Sequence, residues 1–151
     1  MAMKISIGSD HRGIEQRELI AAAVQLTGNE VVDCGTHSSE SCDYPDVAAK
    51  VARQVAANES QRGILICGTG IGVSIAANKI SGIRAAVCHD LQTAEMSRRH
   101  NDANVLCMAA GIEELEMREI VAIWLSTDFD GGRHQRRVEK IAALECSPSA
   151  G

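Results

Sequence analysis

The stretch GILICGTGIGVSIAANK, Gly63 to Lys79, places three signals in one order. Gly63 to Cys67 is an apolar run without polar alternation, the pattern of a strand covered on both faces. Glycines follow at alternate positions, Gly68, Gly70 and Gly72, and then a helical pattern near Val73 to Lys79. A buried strand, a tight loop and a helix are the opening of a β-α-β unit.

The same alternation continues outward on both sides. Upstream, Lys4 to Gly8 predicts a strand, about Gly13 to Leu26 a helix, and Glu30 to Cys34 a second strand. Gly35 to Tyr44 is a polar loop. Tyr44-Pro45-Asp46 then starts a helix, because proline suits a first turn. Val47, Val51 and Val55 give that helix a buried stripe. Downstream, Arg84 to Cys88 and Ala103 to Met108 predict strands on either side of a helix over Leu91 to His100. Met117, Ile120, Val121, Trp124 and Leu125 form an i, i+3, i+4, i+7, i+8 stripe on the next helix. A basic helix over about His134 to Leu144 follows Gly131-Gly132. Five strands separated by helices predict a single-domain α/β fold, three-layered and Rossmann-like, with a five-stranded parallel sheet. The domain is expected over residues 1–144, with 145–151 a flexible tail.

Composition narrows the function. The chain has 151 residues, a net charge of -5, 45% hydrophobic residues and only 2% aromatics. Few aromatics and an acidic balance argue against nucleic acid, which needs stacking platforms and a basic face. No run approaches the roughly 18 apolar residues of a membrane helix. A strand-like run soon after Met1, in place of a signal segment, sets the expectation of a cytoplasmic protein. The six cysteines form no C-x-x-C pair and the five histidines lack zinc spacing, so neither a metal nor disulfides are expected.

Ligands of parallel sheets bind beyond the carboxyl ends of the strands. Those positions are polar or glycine-rich here: Ser9-Asp10-His11, Gly35-Thr36, the 68–72 loop and His89-Asp90. The loop's backbone amides can converge on an anion, or serve only a tight turn. It fits neither the G-x-G-x-x-G nor the P-loop pattern. A thiol such as Cys67, beside amides at a helix start, is either a reactive group or an inert small hydrophobe. Asp10-His11 can bind hydroxyls and an anion or shuttle protons, and Asp10 can cap the following helix. His100 can act as a general acid or simply favour a helix C-terminus. Arg133 and Arg137 share a helix face if the helix begins there, which suits phosphate capture or a solvated face. A thiol base, an imidazole acid, an anion-binding loop and a phosphate clamp suit proton transfer beside a carbonyl, as in aldose–ketose isomerisation. That chemistry needs no cofactor.

On GSDHRG (8–13), DYPD (43–46), GILICGTGIGVSIAANK (63–79), GIRAA (82–86), RRHNDANVL (98–106) and GGRHQRRV (131–138), the chain resembles the type B ribose-5-phosphate isomerases. That family also contains the galactose-6-phosphate isomerase subunits. The resemblance implies that Cys67 takes the C2 proton. Another branch uses a glutamate further along the loop, where this chain has Val73 and Ser74. It implies that Thr69 lies beside the reacting carbons and that the amides of Gly68, Gly70, Ile71 and Gly72 hold the enediolate. His100 would open the sugar ring, helped by Asp10. Tyr44 and Asn101 would line the sugar, and His11, Arg133 and Arg137 would hold the phosphate. A homodimer or homotetramer with sites between subunits is implied, with His100 and Asn101 reaching into the partner's site. One departure stands out. Many relatives carry an arginine after the fifth strand where this chain has Gly111, in Met108-Ala109-Ala110-Gly111. Arg133 and Arg137 then suffice, Arg12 or Arg136 substitutes, or the substrate is another aldose phosphate such as allose, galactose or tetrose phosphate. A non-catalytic sugar-phosphate-binding protein and a redox thiol enzyme are the remaining alternatives.

Overall fold

The computed structural model describes residues 2–35 and 42–145. Among the described residues there are five strands: β1 (Lys4–Ser9), β2 (Glu30–Asp33), β3 (Arg62–Cys67), β4 (Ala85–Val87) and β5 (Val105–Ala109). Six helices alternate with or follow them: α1 (Ile14–Leu26), α2 (Tyr44–Ala56), α3 (Ile71–Ala77), α4 (Leu91–Asn101), α5 (Glu114–Ser126) and α6 (Arg133–Glu145). All pairings are parallel, in the order β2-β1-β3-β5-β4. The fold is the α/β arrangement that the alternation predicts.

Strand side chains alternate between two core layers. Ile64 and Ile66 pack with Ile5, Ile7, Leu106 and Met108 against α1, α4 and α5, where Ile20, Val24, Ile120, Val121 and Trp124 are buried. Leu65 and Cys67 face the other way, with Val105 and Cys107, onto Val47, Val51 and Val55 of α2 and Val73 of α3. Both predicted stripes therefore face the sheet.

Some boundaries differ from expectation for local reasons. The fifth strand begins at Val105 because residues 102–103 close α4: Asp102 is left-handed at φ 47, and the Ala103 N–H bonds the Ser97 carbonyl at 3.0 Å. Helix α6 starts at Arg133, so Arg133 and Arg137 do share a helical register. It runs through Glu145, whose carboxylate accepts from Ser81 Oγ at 2.8 Å and from the Gly82 N–H at 3.0 Å. The rest of the expected tail, like Thr36, lies outside the described residues.

The chain leaves β1 for β2 on one side and returns to β3 on the other. The carboxyl ends of β1 and β3 therefore flank a reversal of winding, where open parallel sheets form a crevice.

Candidate active site

The backbone ties the strand ends together at this crevice. The Asp10 N–H donates to the Ile66 carbonyl at 3.2 Å, and the Ala110 N–H donates to the Cys67 carbonyl at 2.9 Å. A cleft of about 570 Å³ opens above them, lined by Asp10, His11, Arg12, Cys42, Tyr44, Cys67, Gly68, Thr69, Ile71, Gly72 and Ile75.

Cys67 ends β3 and is buried. Its Sγ accepts the Gly70 N–H at 3.2 Å, which fixes the sulfur against the loop. Gly70 makes this contact at φ +78, a left-handed conformation, and a Cβ there would lie 3.0 Å from the Met108 carbonyl carbon. Only glycine fits that position without strain. The Ile71 N–H donates to Thr69 Oγ1 at 3.2 Å, fixing the exposed threonine at the cleft. Elsewhere, burial pushes the thiols of Cys34, Cys88 and Cys107 upward, so those cysteines behave as small hydrophobes.

Asp10 does not cap α1, whose N-cap is Gly13. Its Oδ1 instead accepts the Arg12 N–H at 3.0 Å, so the carboxylate holds its own turn at the cleft floor. His11 Nδ1 accepts the Cys42 N–H at 3.3 Å, which leaves Nε2 to carry the ring proton. Arg12 is exposed, and its Nη1 lies 3.5 Å from where a Cβ on Gly68 would be.

His100, Asn101, Arg133 and Arg137 do not line this cleft. Helix α4 leaves the carboxyl end of β4 and runs back to the amino edge of the sheet. There the Asn104 carbonyl takes the Gly63 N–H at 2.9 Å. Cys67 and the end of α4 thus sit at opposite edges, roughly 16 Å apart along a six-residue strand. His100 stacks on His134, with ring centroids 4.2 Å apart and planes 13° apart. Asn101 borders a separate groove with Arg84, Ile141 and Leu144. Arg133 and Arg137 are exposed on α6. Desolvation, His100, Arg133 and Arg137 together lower the His134 pKa, against a smaller opposing effect of Asp130. Arg12, Cys42 and Ile75 also line the cleft, the last two without any binding role expected of them. Only Arg12 carried a sequence signal, as a substitute for the missing arginine.

A thiol, a carboxylate and a glycine loop at the winding reversal are the parts of an α/β enzyme that moves protons on a small polar ligand. The profile of the family described as Ribose/Galactose Isomerase matches residues 5–141, and the chain belongs to that family. It is an aldose–ketose isomerase. It is 51% identical to ribose-5-phosphate isomerase B of Escherichia coli (strain K12), over 94% of this chain and 96% of that protein. The structure of Clostridium thermocellum ribose-5-phosphate isomerase B superposes with a TM-score of 0.93 at 52% identity, covering 95% of this chain and 98% of that one. The Mycoplasma genitalium enzyme, solved with bound ribulose-5-phosphate, gives 0.93 at 41% identity, covering 98% and 99%.

Proposed function

We propose that the protein interconverts ribose 5-phosphate and ribulose 5-phosphate, through ring opening and a cis-enediolate, with Cys67 as the base. The observation that carries this reading is the Cys67 sulfur, held by the Gly70 N–H and facing a cleft at the β1/β3 reversal. It stands in a chain half identical to enzymes named for this reaction.

In the open-chain sugar, Cys67 removes the C2 proton and the C1 carbonyl becomes an oxyanion. The Gly70 and Ile71 N–H groups are already engaged within the loop. The remaining amides, those of Gly68, Thr69 and Gly72, are the donors left for the oxyanion. The Thr69 hydroxyl sits beside the reacting carbons; the C2 hydroxyl proton passes to the C1 oxygen, C2 becomes the carbonyl, and the proton held by Cys67 returns to C1. Tyr44 lines the sugar, while His11 Nε2 and the Arg12 guanidinium meet the phosphate. Ring opening falls to His100, with Asp10 assisting. No step calls for a cofactor or a metal.

The distance between sheet edges supports a site shared between two chains. His100, Asn101, Arg133 and Arg137 of one copy would complete the cleft of another, in a homodimer or a dimer of dimers. Arg133 and Arg137 are exposed, as capture of a partner's ligand requires. The other partner is a small sugar phosphate, with no role for nucleic acid or membrane. No helix among the described residues is long and apolar enough to cross a membrane. We place the enzyme in the cytoplasm.

A second reading keeps the chemistry and changes the sugar, because Gly111 stands where many relatives carry arginine. Turnover of ribose, allose and tetrose phosphates by the parent and Cys67→Ala tests both readings. Ribose 5-phosphate turnover lost in the variant supports the first. Turnover confined to another sugar selects the second. No turnover on any sugar overturns both.

A further inference from the structure

The end of α4 and the start of α6 bring together three side chains that no linear spacing rule connects. The ligand atoms of His100, Asp130 and His134 all lie within 4.8 Å of one another. Their backbones are pinned: the Asp130 N–H donates to the Arg99 carbonyl at 3.0 Å, and the His134 N–H to the Gly131 carbonyl at 3.0 Å. His134 is buried, and the two imidazoles are stacked. From this geometry we infer that His100, Asp130 and His134 form a binding site for one borderline transition cation such as zinc.

Two imidazoles and one carboxylate suit zinc, cobalt or nickel over magnesium or calcium, which prefer oxygen ligands. A tetrahedral ion with bonds of about 2.0–2.1 Å sets its ligand atoms about 3.3 Å apart. Closing to that distance requires the imidazoles to rotate out of their stack, which lies at 4.2 Å between centroids. The α4 carbonyl end adds partial negative charge at the site. Arg99 opposes binding, since its Nε donates to Asp130 Oδ1 at 3.1 Å and Oδ2 at 3.3 Å. A carboxylate has further lone pairs to offer a metal. Arg133 and Arg137 also oppose it, so the ion is a reversible occupant rather than a permanent cofactor. Its effect on turnover rests on the role given to His100 above: metal on that imidazole removes the ring-opening acid.

Cobalt(II) added to metal-free protein provides the test. A tetrahedral d–d absorption without a thiolate charge-transfer band, lost in His134→Gln and displaced by zinc, supports the site. No binding, or a thiolate band retained in His134→Gln, overturns it and places the metal on cysteine. Zinc should then suppress parent turnover, reversibly with a chelator. Asp130→Asn should keep metal-free turnover and shift half-inhibition upward by at least about tenfold. Metal bound with the imidazole signature but without effect on turnover keeps the site and removes His100 from the proposed mechanism.

Discussion

The Tyr44 ring lies against Gly72 so closely that a β-carbon on Gly72 would come within 2.6 Å of Tyr44 Cε1. The first residue of α2 and the first turn of α3 thus form one wall of the cleft. Gly72→Ala forces the ring away, and overpacking of this kind costs about 1–3 kcal/mol. We expect KM for the sugar phosphate to rise more than kcat falls. Steady-state kinetics beside a thermal melt checks this. An unchanged KM would remove Tyr44 from the sugar site.

Arg12 is the arginine that lines the cleft among the described residues, and Gly111 is open, with nothing within 4 Å of an added Cβ. Arg12→Ala should raise KM about tenfold, the scale of one charge-assisted phosphate contact. Gly111→Arg in that background should restore much of the loss, since Ala110 beside it is bonded to Cys67. Dephosphorylated sugar, used as a competitor, should show no such sensitivity.

Separation of Cys67 from His100 makes a mixing experiment informative. Cys67→Ala and His100→Ala should each be nearly inactive alone. Randomly exchanged dimers regain one intact site in each mixed pair, about a quarter of the parent rate. Mixtures that stay as inactive as their parents would place both groups in one chain's site, against the geometry.

Helix α4 depends on a reciprocal cap. Asp90 Oδ1 accepts the Thr93 N–H at 2.7 Å, and Thr93 Oγ1 accepts the Asp90 N–H at 3.3 Å. Hydrogen bonds from the Thr93 backbone and then its hydroxyl hold the Asp90 carboxyl below its usual value of 3.8. The native state then binds the proton less well than the unfolded chain. Its stabilisation is complete above 3.8 and is lost as pH falls through the lower native value. Asp90→Asn should flatten that part of the acid unfolding curve, read by circular dichroism, because it cannot titrate. A curve identical to the parent's would count against the cap.

Much of the architecture was legible because burial imposes a period. Val47, Val51 and Val55, and the stripe from Met117 to Leu125, face the sheet as their spacing requires. Strand order was not legible, since periodicity does not say that β5 inserts between β3 and β4. Asp10 followed a cap pattern, yet its carboxylate closes a turn at Arg12 instead. Cys42 and Ile75 reach the cleft only through tertiary packing, and the His100–Asp130–His134 cluster spans two helix ends. Distances along the chain carry no signal for such neighbours.

Side chains of β3 alternate between layers, with Leu65 and Cys67 on the α2/α3 side and Ile64 and Ile66 on the other. The sulfur's access to the cleft is therefore a matter of parity. Removing or adding a single residue within β3 would keep every residue type nearby, yet turn the thiol through the sheet into the opposite layer. The strand can change widely in composition, but the sulfur that meets the cleft is locked to an even count from Leu65, whose layer it shares.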